Sequence, residues 1–575
     1  MPIEGYEPHR PEDAERYNKY RWWLGITWGD MFDRATDLYP DKEGLVDDAH
    51  RFTYWQLRSM VDRLAVGLMG LGIRERDFVL VQIPNWHEYV VVFYALQKIG
   101  AIPVLLISRH GLAEILHVAS LTAPVAWIGP ERYRNTEFLP MLKQVMEKNG
   151  SLRHLIAVRG GQDAAFRPLE SLMGAGAPSA AELEAVVRRR PDPSEVSMIL
   201  LTGGTTGVPK AVPRTHNDYI ASVEYHSRAW EVTSNDVLLT VAPVSHAQGM
   251  HNGVGGAFFN FAKYVLTDST EAEDICKVIE REKVTAFPTV PALVQRIVSI
   301  PNLGDYDLSS LKKIYAGGAP STPELVRSVY KKIGCKFVNT LGAAEGLGAM
   351  TRLDADIETV CTTVGKKDCP YSQYKVIDQY GQELPPGREG ELIAKGPNIF
   401  SGYFKSEEDN RKTFTADGFF KTGDLAKIDA SGTMTITGRI KETILRGGET
   451  ISAVAIERMV AGHPAVEDAA VIGMPDKTFG ERICAYVRLR EGAALGLPEL
   501  VAYLKGIGAS VLQLPERLEI IDAIPLTKVG KADKLALKAD IRKKLESKHM
   551  RSAEGDDPQA GTPTSKARGG GAEPQ

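Results

Sequence analysis

The sequence predicts an α/β protein: a large N-terminal domain of parallel-rich sheets with helices plus a β-rich subdomain, followed by a small α+β C-terminal domain. Three observations predict it. Apolar strands alternate with amphipathic helices from about residue 50 to 350, short Gly- and Pro-punctuated strands fill 370–440, and a new unit of mixed character follows GRIKETILRGGE (438–449). At 575 residues the chain is too long for a single core, so several domains are expected from length alone. The expected division is 1–440, 441–547 and a disordered tail, 548–575, rich in Gly, Pro, Ala and charge.

The first 40 or so residues show little periodicity, apart from a Trp22-Trp23 pair expected to pack onto the body. From Thr53, Leu57, Val61, Leu64, Leu68 and Leu71 recur at alternating spacings of four and three, which is one buried helix face. Gly72 is its expected stop, and FVLVQIPN (78–85) reads as a buried strand. Ile275, Val278 and Ile279 mark a helix before the strand TAFPTVP (285–291). KKIYAGGA is a strand, Ser321-Thr322-Pro323 opens a helix with an early proline, Gly334 closes it, and CKFVNTL is the next strand. Then YKVIDQYG, GREGELIAKG and GTMTITG supply the β-rich subdomain. Beyond it, DAAVIGMP, ERICAYVRL, a helix around Leu497 to Lys505 and RLEIIDAIP are enough for a separate domain.

A formal net charge of -4 gives no attraction for nucleic acid or a membrane surface. Cys276, Cys335, Cys361, Cys369 and Cys484 contain no CxxC pair, which disfavours a zinc site or a disulfide framework. The most apolar stretch, 78–107, is interrupted by Gln82, Asn85, His87, Glu88, Gln97 and Lys98, so it is not a membrane span. The polar N-terminus lacks the apolar region of a secretory signal. A cytoplasmic protein with reduced thiols is expected, with no membrane insertion and no nucleic-acid partner.

The strongest chemical signal is LLTGGTTGVPKAVPRTH (200–216). A strand leads into Thr202, Gly203, Gly204, Thr205, Thr206 and Gly207, and the run ends in Lys210. Glycines let backbone amides close on an anion, threonines add donors, and the lysine supplies charge, which is what a phosphate chain needs. It is not a Walker A loop, because Val208 and Pro209 precede the lysine and Ala211 follows it. No GxGxxG follows an early strand, and kinase motifs are missing.

With further motifs in order, the chain resembles the adenylate-forming enzymes, which include acyl-CoA and aryl-CoA synthetases, peptide-synthetase adenylation domains and luciferases. AGGA (316–319), LGAAEG (341–346), TGD (422–424), GRIKETILRGGE (438–449) and PLTKVGK (525–531) carry the resemblance over about residues 30 to 540. It implies an acid-thiol ligase that forms an acyl-adenylate from ATP and a carboxylic acid and then a thioester. Gly317, Gly318 and Ala319 would pack against adenine, with Gly342, Ala343 and Ala344 beside them. Glu345 would hold Mg²⁺, since a hard cation takes carboxylate oxygen. Asp424 would accept from both ribose hydroxyls, and Arg439 would meet ribose or phosphate. Lys531 would reach the carboxylate and α-phosphate, offsetting the charge of anion attacking anion. Lys441 matches the hinge of a mobile C-terminal domain, and Gly447, Gly448 and Glu449 would line the coenzyme A channel.

Within the family the chain resembles the aryl-acid branch, on Val212-Pro213-Arg214-Thr215-His216 and on AEG in place of TEG. The resemblance places the acid among His246, Ala247, Gln248, Met250 and Asn252, closed by Gly317 and Gly342. Ala247 and Asn252 stand where dihydroxybenzoate enzymes carry an Asn and a Ser that serve phenolic hydroxyls, so a less hydroxylated aromatic or alicyclic acid is expected. Free coenzyme A is the first expectation for the acceptor, and a carrier-borne phosphopantetheine is the alternative. A non-catalytic adenylate-binding protein is a further alternative, and a homodimer is compatible with the sequence.

Overall fold

The computed structural model describes residues 3–174, 176–202, 209–446, 449–476, 478–528 and 530–553. The start of the chain is more ordered than its weak periodicity predicts. It forms helices Pro11–Lys19, with proline in its first turn, and Trp28–Leu38, where Thr27 and Asp30 complete a reciprocal capping box. Trp23 is buried, and its Nε1 donates to the Pro397 carbonyl at 2.7 Å.

The next helix, Tyr54–Gly70, follows the predicted face and is capped by Thr53. The strand after it is shorter than the apolar run suggests, Phe78–Val81, because Pro84 cannot donate to a ladder. It lies in a seven-stranded sheet that runs, edge to edge, through Lys210–Thr215, Val196–Thr202, Ile102–Leu105, Phe78–Val81, Ala126–Gly129, His154–Ala157 and Arg167–Pro168. Its pairings are parallel except for the first, which is antiparallel.

A nine-stranded sheet has Val237–Thr240, Ala286–Thr289, Lys313–Ala316 and Lys336–Gly342 as parallel neighbours at its centre. Helices His87–Lys98 and His216–Ala229 are buried along most of their length, and one apolar core joins them to strands of both sheets. A four-stranded antiparallel sheet follows: Gln373–Ile377, Gly390–Lys395, Phe420–Ile428 and Met434–Arg439.

A short turn, Ile440–Glu442, leads into a five-stranded sheet with helices Ala453–Ala461, Leu497–Gly506 and Lys534–Ala553. That last helix corrects one boundary. It runs to Ala553, into the segment expected to be a disordered tail from 548, and residues 554–575 lie outside the described residues. All five cysteines are buried and free. No helix among the described residues is long and apolar enough to cross a membrane.

Parallel strands leave their carboxyl ends on one edge, the usual place for ligands in such sheets. Here that edge carries 243–252, 316–319 and 341–346, which follow the strands ending at Thr240, Ala316 and Gly342.

Candidate active site

Thr202 and Lys210 face each other across the antiparallel strand pair. Gly203, Gly204, Thr205, Thr206 and Gly207 lie outside the described residues. Lys210 Nζ stands 2.9 Å from the Asp409 carboxylate and 4.4 Å from the Tyr403 ring centroid. The same tyrosine donates its hydroxyl to Glu345 Oε1 at 2.8 Å. Burial and the adjoining Glu345 carboxylate push the phenol well above its ordinary pKa, so it stays a donor. Lysine, tyrosine and glutamate thus form one column, and sequence reasoning missed its middle member.

The loop carrying Glu345 is held from behind. Arg214, 1% exposed, gives Nε to Asp218 at 2.6 Å, Nη1 to the Ala344 carbonyl at 2.6 Å and Nη2 to the Asn398 carbonyl at 2.7 Å. Asn398 Nδ2 donates to the Gly346 carbonyl at 2.9 Å, and Phe400 N to the Glu345 carbonyl at 2.8 Å. Gly346 has φ +98°, and a Cβ there would fall 1.8 Å from the Asn398 oxygen, so glycine is required.

Asp424 and Arg439 pair across adjacent strands, with Nε 2.8 Å from Oδ1. Burial raises the Asp424 pKa, and Arg439 pulls it back. Lys531 arrives from the C-terminal domain on a turn closed by Thr527 N to the Lys531 carbonyl at 2.6 Å. Its stem crosses Gly318: a Cβ on that glycine would stand 3.6 Å from Lys531 Cε. Crowding by protein lowers the amine's pKa first and Arg439 second, while Asp424, Glu442 and Glu345 oppose them. The residue nonetheless keeps solvent-exposed area. Residues from three sequence-distant motifs therefore meet at one place.

Gly317 lets two strand ends approach, since a Cβ would sit 2.5 Å from Thr340 Cγ2. Gly318, Ala319 and Gly342 are exposed beside it, Ala343 is partly so, and Ala344 is buried. A second bridge between the domains is the Lys528–Glu114 ion pair. Lys441 is exposed on the turn between the domains. Gly447 and Gly448 lie outside the described residues, and Glu449 is described only as the first backbone position of strand Glu449–Ser452.

On the acid side, His246, Ala247 and Gln248 keep open area. Burial, then Lys531, lowers the His246 pKa to about 4, which keeps the ring neutral near pH 7. Gln248 Nε2 is held by the Thr289 carbonyl at 2.6 Å. Two expected pocket residues turn inward instead. Met250 is 0% exposed and its Sδ accepts from Tyr89 at 3.1 Å; Asn252 is 2% exposed, with Oδ1 2.8 Å from His226 Nε2. His226 in turn lies 3.2 Å from Asp368. Neither side chain offers exposed area to a ligand in this structure.

Glu345 fits a hard divalent cation: Tyr403 occupies Oε1, and no described residue bonds Oε2. The grouping of Asp47, His50 and His87 fits one less well, because Arg159 Nη2 already lies 2.8 Å from Asp47 Oδ2.

A family model described as AMP-binding enzyme matches residues 32–404, and the AMP-binding enzyme C-terminal domain matches 455–531. A 2,3-dihydroxybenzoate-AMP ligase of Bacillus subtilis is 35% identical, over 94% of this chain and 99% of that protein. A salicyl-AMP ligase / salicyl-S-ArCP synthetase of Mycobacterium tuberculosis is 33% identical over 93% and 94%. A 2-hydroxy-7-methoxy-5-methyl-1-naphthoate–CoA ligase of Streptomyces carzinostaticus is 34% identical over 93% and 97%.

Proposed function

This chain belongs to the AMP-binding, adenylate-forming enzyme family, and we propose that it activates an aryl carboxylic acid with ATP and hands the acyl group to a carrier-borne phosphopantetheine thiol. The observation that carries the proposal is the meeting of Lys531, from the C-terminal domain, with Gly318, Asp424, Arg439 and Glu345.

In the first half-reaction a carboxylate oxygen attacks the α-phosphorus of ATP, the bond to the β-phosphate oxygen breaks, and pyrophosphate leaves. Lys210 and the 203–207 run take the phosphate chain, and Asp424 takes the ribose hydroxyls. Lys531 places its ammonium where the two anions meet, which matters most in the transition state. Glu345 would hold Mg²⁺, which neutralises phosphate charge when bound. His246, neutral near pH 7, closes the acid side without adding a charge. In the second half-reaction the thiolate attacks the acyl carbon and AMP departs, after the C-terminal domain turns about Lys441 to bring the segment at 447–449 to the cleft.

The sequence alone put free coenzyme A first. The salicyl-S-ArCP synthetase activity of the Mycobacterium tuberculosis relative supports the carrier reading. The naphthoate–CoA ligase keeps free coenzyme A as the second reading. Three of the relatives' acids are hydroxylated by name, whereas Ala247 offers no hydrogen bond from its side chain and Asn252 is engaged by His226. We therefore propose a ring acid that demands fewer hydroxyl contacts at these two positions. Pyrophosphate exchange over benzoate, salicylate, dihydroxybenzoate and cyclohexanecarboxylate tests the acid; AMP and pyrophosphate formed with none of them or any other ring acid would sink the adenylation proposal. Acyl transfer to coenzyme A compared with a phosphopantetheinylated carrier decides the acceptor.

A further inference from the structure

We propose that Arg214, Asn398 and Tyr403 are positioning residues for the metal-dependent part of nucleotide binding, acting together as a cradle that fixes Glu345. The inference rests on reading this cleft as the ATP site. Its basis is that the carbonyls of three successive residues are each bonded by a buried group: Ala344 by Arg214 Nη1, Glu345 by Phe400 N, and Gly346 by Asn398 Nδ2. The peptide planes on both sides of Glu345 are thereby pinned, and the Tyr403 hydroxyl pins the side chain itself.

Arg214 suits this role because its rigid fork sends parallel bonds to two separate chain segments, a geometry a lysine cannot reproduce. The cost of burying the guanidinium is offset by Asp218, which is itself satisfied by Thr215 N at 2.9 Å, Thr215 Oγ1 at 2.7 Å and His9 Nε2 at 3.3 Å. The guanidinium also lies 4.7 Å from the Tyr219 ring centroid. Ser372 completes Asn398 by donating to its Oδ1 at 2.5 Å. Arg214 and Asn398 act on Glu345 through the backbone of its loop, and Tyr403 acts on its carboxylate directly.

The test measures binding and not turnover. The probe is α,β-methylene-ATP, titrated calorimetrically into the full chain with Mg²⁺ and again with a chelator. Outer partners of a metal-holding carboxylate typically change metal affinity by about 10-fold or more. Arg214→Lys and Tyr403→Phe should therefore each shrink the Mg²⁺-dependent gain in affinity by about 10-fold, while affinity in chelator stays within about twofold. A role in folding alone would lower the melting temperature and leave the ratio of the two affinities unchanged, which overturns the proposal. If Arg214→Lys does not fold, Tyr403→Phe, which deletes one hydroxyl, decides by the same ratio. Failure of the unaltered protein to bind the analogue in either condition would instead refute the nucleotide reading on which the inference stands.

Discussion

Replacing Lys531 by alanine removes one cation from a cluster in which Arg439 and Lys534 would remain against Asp424, Glu345 and Glu442. Two anions, a carboxylate and a phosphate chain, must still enter. At about 4 Å and an effective dielectric near 20, one unit charge is worth about 4 kcal/mol. Loss of one preorganised donor to developing charge costs about 2.7–4 kcal/mol by comparison with other enzymes. At about 1.4 kcal/mol per decade, both routes give a fall of about 10²–10³ in the adenylation rate. Acid-dependent exchange of labelled pyrophosphate into ATP measures that step. Thioester formation from chemically prepared aryl-adenylate measures the other, and it should stay within about threefold of the unaltered protein, because a rotated domain would carry Lys531 away from the cleft. Equal losses in the two assays would refute the division of labour between domain positions.

Gly346→Ala should destabilise the protein by about 2–4 kcal/mol, combining a left-handed backbone with overpacking against Asn398; an unchanged urea midpoint would contradict the geometry. His216 has its pKa lowered by burial to about 3, so the unfolded chain binds a proton that the native state does not between about pH 6.5 and 3. Its contribution to stability is complete above pH 6.5 and is lost as pH falls through that window, by about 1.4 kcal/mol per pH unit. His216→Asn keeps an acceptor for Trp28 N, which now bonds Nδ1 at 3.1 Å, and should remove about one proton from the pH dependence of unfolding. Glu114→Gln breaks the ion pair with Lys528. Exposed pairs are worth about 0–1 kcal/mol, so adenylation should fall no more than about fivefold, again without loss of thioester formation.

Much of this fold is written locally. Thr53 and the Leu57–Leu71 spacing specify the Tyr54–Gly70 helix, and Thr322-Pro323 specifies the start of Pro323–Lys332, because caps and periodicity act within a few residues. The motifs around Lys210, Glu345, Asp424 and Lys531 were readable because each is short and has its own chemistry. The parts that hold them were not. Arg214 meets Ala344 across 130 residues of sequence, and Tyr403 meets Glu345 across 58. A lone arginine or tyrosine carries no sign of such a partner. The burial of Met250 and Asn252 was illegible for the opposite reason: the motif gives their position along the chain, but the direction of each side chain depends on the seven-residue π-helical turn Gly249–Gly255, which sequence periodicity does not announce.

The order of residues 3–23 also bears on how fragments of the protein are drawn. The family model starts at residue 32, and a truncation made there looks harmless by alignment. It would strip His9 from Asp218, the partner of Arg214, Trp23 from the carbonyl of Pro397, which precedes Asn398, and Arg10 from the Ala416 carbonyl. A shortened enzyme with a loosened nucleotide site is the expected product, so affinity tags and domain fusions belong at the other end of the chain.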